Sequence, residues 1–96
     1  MFLILLRYVR PIEEVDALRP AHLEFLGKGF DEGRYVMAGR RVPPEGGVVV
    51  ARGSDEAAVA ELTEQDPYIV NGVAEYELVR FHAGLTEEGL AGDDPL

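Results

Sequence analysis

The stretch that decides the fold is MFLILLRYVR, residues 1–10, in which apolar side chains fill both alternating sets of positions as far as Leu6. Successive residues of a strand point to opposite faces of a sheet, so a segment that is apolar on both faces is typical of a covered, central strand. Pro11 ends it. The apolar run stops at Arg7 and is too short for a signal sequence or a membrane span, which predicts a cytoplasmic protein without membrane contact.

The next segment predicts a helix that is interrupted by a proline. Residues 12–18 have helical spacing, but Pro20 biases Arg19 away from the helical conformation. We therefore expect the helix to restart with Pro20 as its first residue and to run to about residue 30. Its inward stripe would consist of Leu23, Leu26 and Phe30.

A hairpin, a second helix and a last strand are predicted after Gly33. Residues 34–41 and 48–52 read as antiparallel strands, with the glycine-containing residues 42–47 as their turn. Ser54 is the expected N-cap of an Ala-rich helix over residues 57–64, which Asp66 and Pro67 end. Residues 73–82 form the last predicted strand.

The order of elements is β-α-β-β-α-β, which predicts an α+β, ferredoxin-like fold with an antiparallel sheet of order 4-1-3-2 and both helices on one face. The 96 residues allow one domain, over residues 1–83, followed by an acidic and flexible tail over residues 84–96. The first strand is apolar on both faces. We therefore expect the uncovered sheet face to pack in a homodimer, as an α+β barrel.

Composition excludes several classes of function. There are 9 Lys and Arg against 18 Asp and Glu, so the counterion-release term of nucleic-acid binding is missing. There is no cysteine, and His22 and His82 are too far apart for a familiar metal motif, which predicts neither a metal nor another cofactor. Ser54, the only serine, is assigned to a helix cap, which excludes a Ser-His-Asp hydrolase.

His22 and Asp66 are the candidate catalytic pair. The topology puts the start of the restarted helix and the end of the second helix at the same end of the sheet, although these residues are 44 positions apart. A carboxylate that orients an imidazole would make a general acid-base pair. The alternative is that His22 only lines the helix and Asp66 only accepts backbone N–H groups in an Asp-Pro turn.

Five short motifs resemble the YCII-related (YciI-like) family over residues 2–83. They are RPAHLEFL at residues 19–26, Gly33 with MAG at 37–39, GG at 46–47, SDEA at 54–57 and DPY at 66–68. The resemblance implies dimeric α+β barrels, a His22–Asp66 active-site pair and a place for Gly39 in the pocket rim. This chain departs from the family's frequent Gly-Pro because Arg40 follows Gly39. The family includes a dehydrochlorinase of a chlorinated hydroxyhydroquinone.

Four further side chains are candidates for binding a substrate. Arg7 could bind an anion, or pair across a dimer interface. Arg19 could anchor a carboxylate or phenolate beside His22, or remain solvated at the helix start. Arg40 adds a cation at the Gly39 turn, and Tyr68 either bonds the substrate or forms part of the cavity wall.

Two functions of different classes fit these residues. The first is a cofactor-free enzyme of the lyase or dehydrochlorinase type, acting on a small aromatic or enolisable substrate through the His-Asp pair. The second is a module that binds a small molecule or serves an interaction without catalysis. Recruitment of a basic partner by the acidic tail is a third interpretation, and a solvated tail is its alternative.

Overall fold

The computed structural model describes residues 1–87 and contains four strands and three helices in one chain segment. In chain order they are β1 (Phe2–Tyr8), α1 (Ile12–Asp31), β2 (Tyr35–Arg40), β3 (Gly46–Ala51), α2 (Glu56–Thr63), α3 (Pro67–Val70) and β4 (Ala74–Arg80). Residues 84–87 contain no helix or strand, and the rest of the predicted tail lies outside the described residues.

The four strands form one antiparallel sheet of order β2-β3-β1-β4. The central strand β1 pairs with β3 on one side and with β4 on the other, and Leu6 stands opposite both Gly47 and Tyr76. This confirms the predicted strand order. The α+β class is also confirmed, and the arrangement is compatible with a ferredoxin-like fold.

Both long helices cover the same face of the sheet. Three even-numbered residues of β1, Phe2, Ile4 and Leu6, are almost completely buried, with exposed fractions of 0–2%. They belong to one hydrophobic cluster with Leu26 of α1 and Val59 of α2. The side chains of β1 that point towards the helices are therefore the even set, which was not distinguishable from the odd set by sequence.

The opposite sheet face is apolar but only partly covered in the single chain. Leu3 and Leu5 of β1 are of intermediate burial there, where the register brings them opposite residues of β3 and β4. These cross-strand neighbours are Val48, Val50, Glu77 and Val79. We name this surface, formed by Leu3, Leu5, Val48, Val50 and Val79, the open face.

The predicted restart at Pro20 is wrong, because α1 runs without interruption from Ile12 to Asp31 with Pro20 inside it. Proline removes one helical hydrogen bond but has a φ angle that suits a helix. The buried residues of α1 are Val15, His22, Leu26 and Gly29, which share one side of a continuous helix. The free energy of burying this stripe outweighs the local bias of Pro20 against a continuous helix. Leu23, predicted to point inward, is 57% exposed.

The hairpin differs from its prediction at the two glycines. Gly46 and Gly47 were expected in the turn, but they are the first residues of β3 and pair with Arg7 and Leu6 of β1. A Cβ atom on Gly46 would lie 1.8 Å from the carbonyl oxygen of Leu6. The two backbones approach so closely that only glycine fits at this position of the ladder.

Two helix starts depend on aspartate side chains. The N-cap of α2 is Asp55 and not the predicted Ser54, and Asp55 Oδ1 accepts hydrogen bonds from the N–H groups of Ala57 and Ala58. Ser and Asp are both good caps, so sequence did not decide between neighbours. Asp66 caps the short helix α3. This helix was not predicted, because Asp66 and Pro67 were interpreted only as the end of α2.

Candidate active site

His22 and Asp66 form a buried pair between the middle of α1 and the start of α3. Nδ1 of His22 lies 2.8 Å from Oδ1 and 3.0 Å from Oδ2 of Asp66. Only 8% of His22 and 3% of Asp66 is exposed. The two residues that topology placed at one end of the sheet are thus in direct contact.

The hydrogen-bond geometry defines which nitrogen of His22 is engaged by Asp66 and which is left without a bond to the described residues. A carboxylate can only accept, so Nδ1 donates to Asp66 and Nε2 of the neutral imidazole keeps the lone pair. Within residues 1–87 the imidazole has hydrogen bonds at Nδ1 alone, and His22 borders a cavity that Asp66 does not line. An imidazole held in this way can accept or return a proton at Nε2.

Asp66 also shapes the backbone. Its Oδ1 accepts a hydrogen bond of 2.9 Å from the N–H group of Tyr68, and Pro67 occupies the first turn of α3. Proline suits this position because its missing N–H would have no partner there. The turn role and the contact with His22, which sequence treated as alternatives, are both present, and the cap fixes the carboxylate that faces the imidazole.

Tyr68 packs against the imidazole, and Tyr8 in turn packs against Tyr68. The Tyr68 ring stacks on His22 with a centroid distance of 3.8 Å and an interplanar angle of 7°. Tyr8 meets Tyr68 edge to face at 5.9 Å. Burial raises the pKa of both tyrosines above the ordinary value, although the charge of Arg19 acts in the opposite direction. Both hydroxyls therefore remain protonated at neutral pH and can donate hydrogen bonds.

A cavity of about 280 Å³ lies between α1 and the β2–β3 side of the sheet. This is near the lower end of the ligand pockets of proteins, which hold roughly 300 Å³ or more, and suits a small molecule. Its apolar part includes Leu6, Leu26 and Val49, and the small residues Ala38 and Gly39 leave room above β2. The polar residues that line it are Tyr8, Arg19, His22, Arg40 and Tyr68.

Two arginines of the cavity lining, Arg19 and Arg40, approach the same carboxylate. Arg19 donates from Nη2 to Oδ1 of Asp16, one turn earlier on α1. Nη2 of Arg40, at the end of β2, lies 4.0 Å from the same oxygen. Burial is the largest single influence on the pKa of Arg19 and acts to lower it, but the charge and hydrogen bond of Asp16 together with Tyr68 and Tyr8 make the net direction upward. Both guanidinium groups are thus cations at any neutral pH.

Comparison with known families adds an identification to this geometry. A profile of the YCII-related domain matches residues 1–82, which is most of the chain. The chain belongs to the YCII-related domain family. The resemblance seen in the five motifs is thereby confirmed. No curated protein matches the sequence.

Among solved structures, a match in fold to this YCII-related domain is an enzyme. It is the 5-chloro-2-hydroxyhydroquinone dehydrochlorinase of Burkholderia phenoliruptrix, determined as a complex with 2,5-dihydroxybenzoquinone. The TM-score is 0.70 at 17% sequence identity, and the match covers 84% of this chain and 93% of that chain. At this identity the likeness establishes a common fold.

The residues predicted to bind a substrate in this YCII-related domain divide into two groups. Arg19, Gly39, Arg40 and Tyr68 all line the cavity with His22. Arg7 does not, because it belongs to the odd set of β1 and lies on the other face of the sheet, where it pairs with Glu75. His82 follows the end of β4 that lies opposite Phe2, far from the Tyr8 end of the sheet.

Sequence reasoning missed Asp16 and Tyr8. Asp16 precedes Arg19 by three positions, a spacing at which side chains on one helix meet. That signal was hidden by the expected break at Pro20. Tyr8 continues the even set of β1 and pairs with Ala74 of β4. Its ring contact with Tyr68 places it near α3.

The described residues carry two further observations. Among residues 1–87, no three His, Asp or Glu side chains are grouped closely enough to hold a metal ion. In the same part of the chain, none of the helices combines the length and the apolar character that crossing a bilayer requires.

Proposed function

We propose that this protein is a cofactor-free enzyme that uses His22 and Asp66 for proton transfer on a small aromatic or enolisable substrate. The observation that carries the proposal is the 2.8 Å contact between Nδ1 of His22 and buried Asp66. It leaves Nε2 as the basic atom on the cavity side of the imidazole. Asp66 would then stabilise the imidazolium that forms when Nε2 takes a proton.

The reaction class is that of a lyase, such as the removal of hydrogen chloride. His22 Nε2 would take a proton from the substrate, the electrons of the broken bond would form a new double bond, and chloride would leave with its own electron pair. Arg19 and Arg40 would stabilise negative charge on a substrate oxygen in the transition state. The activity named for the structural neighbour supports this class.

The test is chloride release from 5-chloro-2-hydroxyhydroquinone by the wild type and His22→Gln. A positioned acid or base contributes roughly 10²- to 10⁴-fold in rate, so His22→Gln should lower turnover by at least about 100-fold. His82→Gln is the matched control, because it changes the other histidine at the far end of the sheet. Unchanged turnover in His22→Gln would remove the catalytic role.

The alternative, a module that binds a small molecule without catalysis, uses the same cavity. It predicts that the wild type binds its ligand without converting it, and that His22→Gln retains the affinity. The enzyme proposal predicts that His22→Gln loses turnover while binding is kept. Calorimetry of both proteins with the same compound separates the two.

We also propose that the protein is a homodimer joined through the open face. Contiguous apolar surface of this kind is typical of an interaction site, and a two-fold dimer would cover it with the same surface of a second copy. Sedimentation equilibrium of the wild type and Val50→Glu tests it. A dimer that Val50→Glu converts to a monomer is expected, and a monomeric wild type would contradict it.

Location and other partners remain predictions. The acidic composition predicts no nucleic-acid partner, and the protein is expected to be cytoplasmic, with a small molecule and a second copy as its partners.

A further inference from the structure

The carboxylate of Asp16 faces two guanidinium groups, those of Arg19 and Arg40, which both line the cavity. Asp16 bonds Arg19 on its own helix and lies 4.0 Å from Arg40 of the neighbouring strand. About half of the Asp16 side chain is exposed, and it does not itself line the cavity. These three groups, which we name the charge cluster, have a net charge of +1.

The part of the lining formed by His22 has the opposite character to the charge cluster. His22 is neutral when Nε2 is a base, and the carboxylate of Asp66 lies directly behind it. A negatively charged group is therefore favoured at the charge cluster and disfavoured at His22. A ligand with one anionic oxygen would be oriented with that oxygen towards Arg19 and Arg40 and its neutral part towards His22.

Asp16 determines how much positive charge the cavity presents. Without it, the arginines would contribute two uncompensated charges, which would favour a dianion. With it, the remaining charge matches one phenolate, enolate or carboxylate group. The hydrogen bond from Arg19 Nη2 to Asp16 also restricts the orientation of this guanidinium, whose Nε is buried without a hydrogen-bond partner among the described residues.

We infer that Asp16 is a specificity-determining residue that selects a singly charged anionic ligand for this cavity. The inference rests on the proposed function only in that the cavity is taken as the substrate site. It names the substrate class: a small, mostly apolar molecule with one anionic oxygen. Asp16 acts through the two arginines and does not touch the ligand.

The experiment measures the binding of three probes that differ in charge, by NMR titration of the full chain. The probes are benzamide, benzoate and isophthalate, with no, one and two negative charges. Asp16→Asn removes the charge of Asp16 and keeps an oxygen that can accept from Arg19. Glu14→Gln is the matched control, because Glu14 is a half-exposed residue of the same helix that pairs with Arg10.

Asp16→Asn should bind benzoate about fivefold and isophthalate about 20-fold more tightly than the wild type, since each ligand charge gains attraction to the arginines. Benzamide should change by less than about twofold, and so should every probe in Glu14→Gln. Arg40→Gln, with Asp16 unchanged, should weaken the binding of benzoate by about fivefold. Phenolate and carboxylate ligands are compared by repeating the series with 4-nitrophenolate.

Several results would overturn the inference. One is a gain in benzoate affinity in Glu14→Gln equal to that in Asp16→Asn. Another is a gain in benzamide affinity in Asp16→Asn equal to the gain for benzoate. The third is the absence of benzoate binding at the cavity in every variant. If Asp16→Asn does not fold, Asp16→Ser removes the same charge and takes its place. His22→Gln should retain benzoate binding whether or not the wild type has turnover, so failure of the proposed reaction is distinguishable from failure of this inference.

Discussion

The contribution of Asp66 to stability can be worked out from its contacts. Asp66→Ala removes the cap of α3, which accepts the N–H group of Tyr68, and leaves Nδ1 of buried His22 without an acceptor. Loss of a cap costs about 1 kcal/mol, and an unsatisfied buried donor costs about 1 to 3 kcal/mol. The free energy of unfolding should therefore fall by about 2 to 4 kcal/mol.

Asp55→Ala is the matched control for this loss. Asp55 also caps a helix, accepting from Ala57 and Ala58, but it has no contact with a histidine. Its removal should cost only the cap, about 1 kcal/mol. Urea denaturation of both variants at one fixed protein concentration gives the difference, because a dimer would make stability depend on concentration. Equal losses in the two variants would refute the proposed energetic link between Asp66 and His22.

Two further predictions concern other positions. Gly46→Ala should destabilise the protein by more than about 3 kcal/mol, since its Cβ would lie 1.8 Å from the Leu6 carbonyl oxygen. Gly27 of α1 has open space around it, so Gly27→Ala should stabilise the protein by about 0.5 to 1 kcal/mol. Thermal melts compare the two variants. Burial and then Asp66 raise the pKa of Tyr35 to about 12 from 10.0, so the folded state keeps a proton that the unfolded state releases. Stability should hold below pH 10.0 and fall as pH rises towards 12. In Tyr35→Phe the alkaline loss should be smaller, and an identical loss by urea denaturation would contradict this.

The strand order and the meeting of His22 with Asp66 could be predicted because they follow from topology. Once the order of elements is read, the helix that carries His22 and the turn that carries Asp66 must share one end of the sheet. Their catalytic role remains a proposal, since contact alone does not show proton transfer. The family, too, was recognisable from short motifs in the right order.

Other features depend on tertiary packing that local sequence does not contain. Pro20 signals a break, but burial of Val15 and His22 on one helix face keeps α1 continuous. Both sets of positions in β1 are apolar, so sequence could not tell which face the helices cover, and it left open whether Arg7 lies in the cavity or on the opposite face of the sheet. Asp16 was missed for a related reason, because its pairing with Arg19 requires the uninterrupted helix.

The most direct test of whether Nε2 of His22 can accept a proton is the tautomer of this imidazole. It is measured by a long-range ¹H–¹⁵N NMR spectrum at a pH at which the imidazole is neutral. His82→Gln leaves only His22 in the spectrum. We expect a protonated Nδ1 and an unprotonated Nε2, with loss of this preference in Asp66→Ala. A protonated Nε2 in the wild type would contradict it, because the lone pair needed for proton transfer would then not face the cavity.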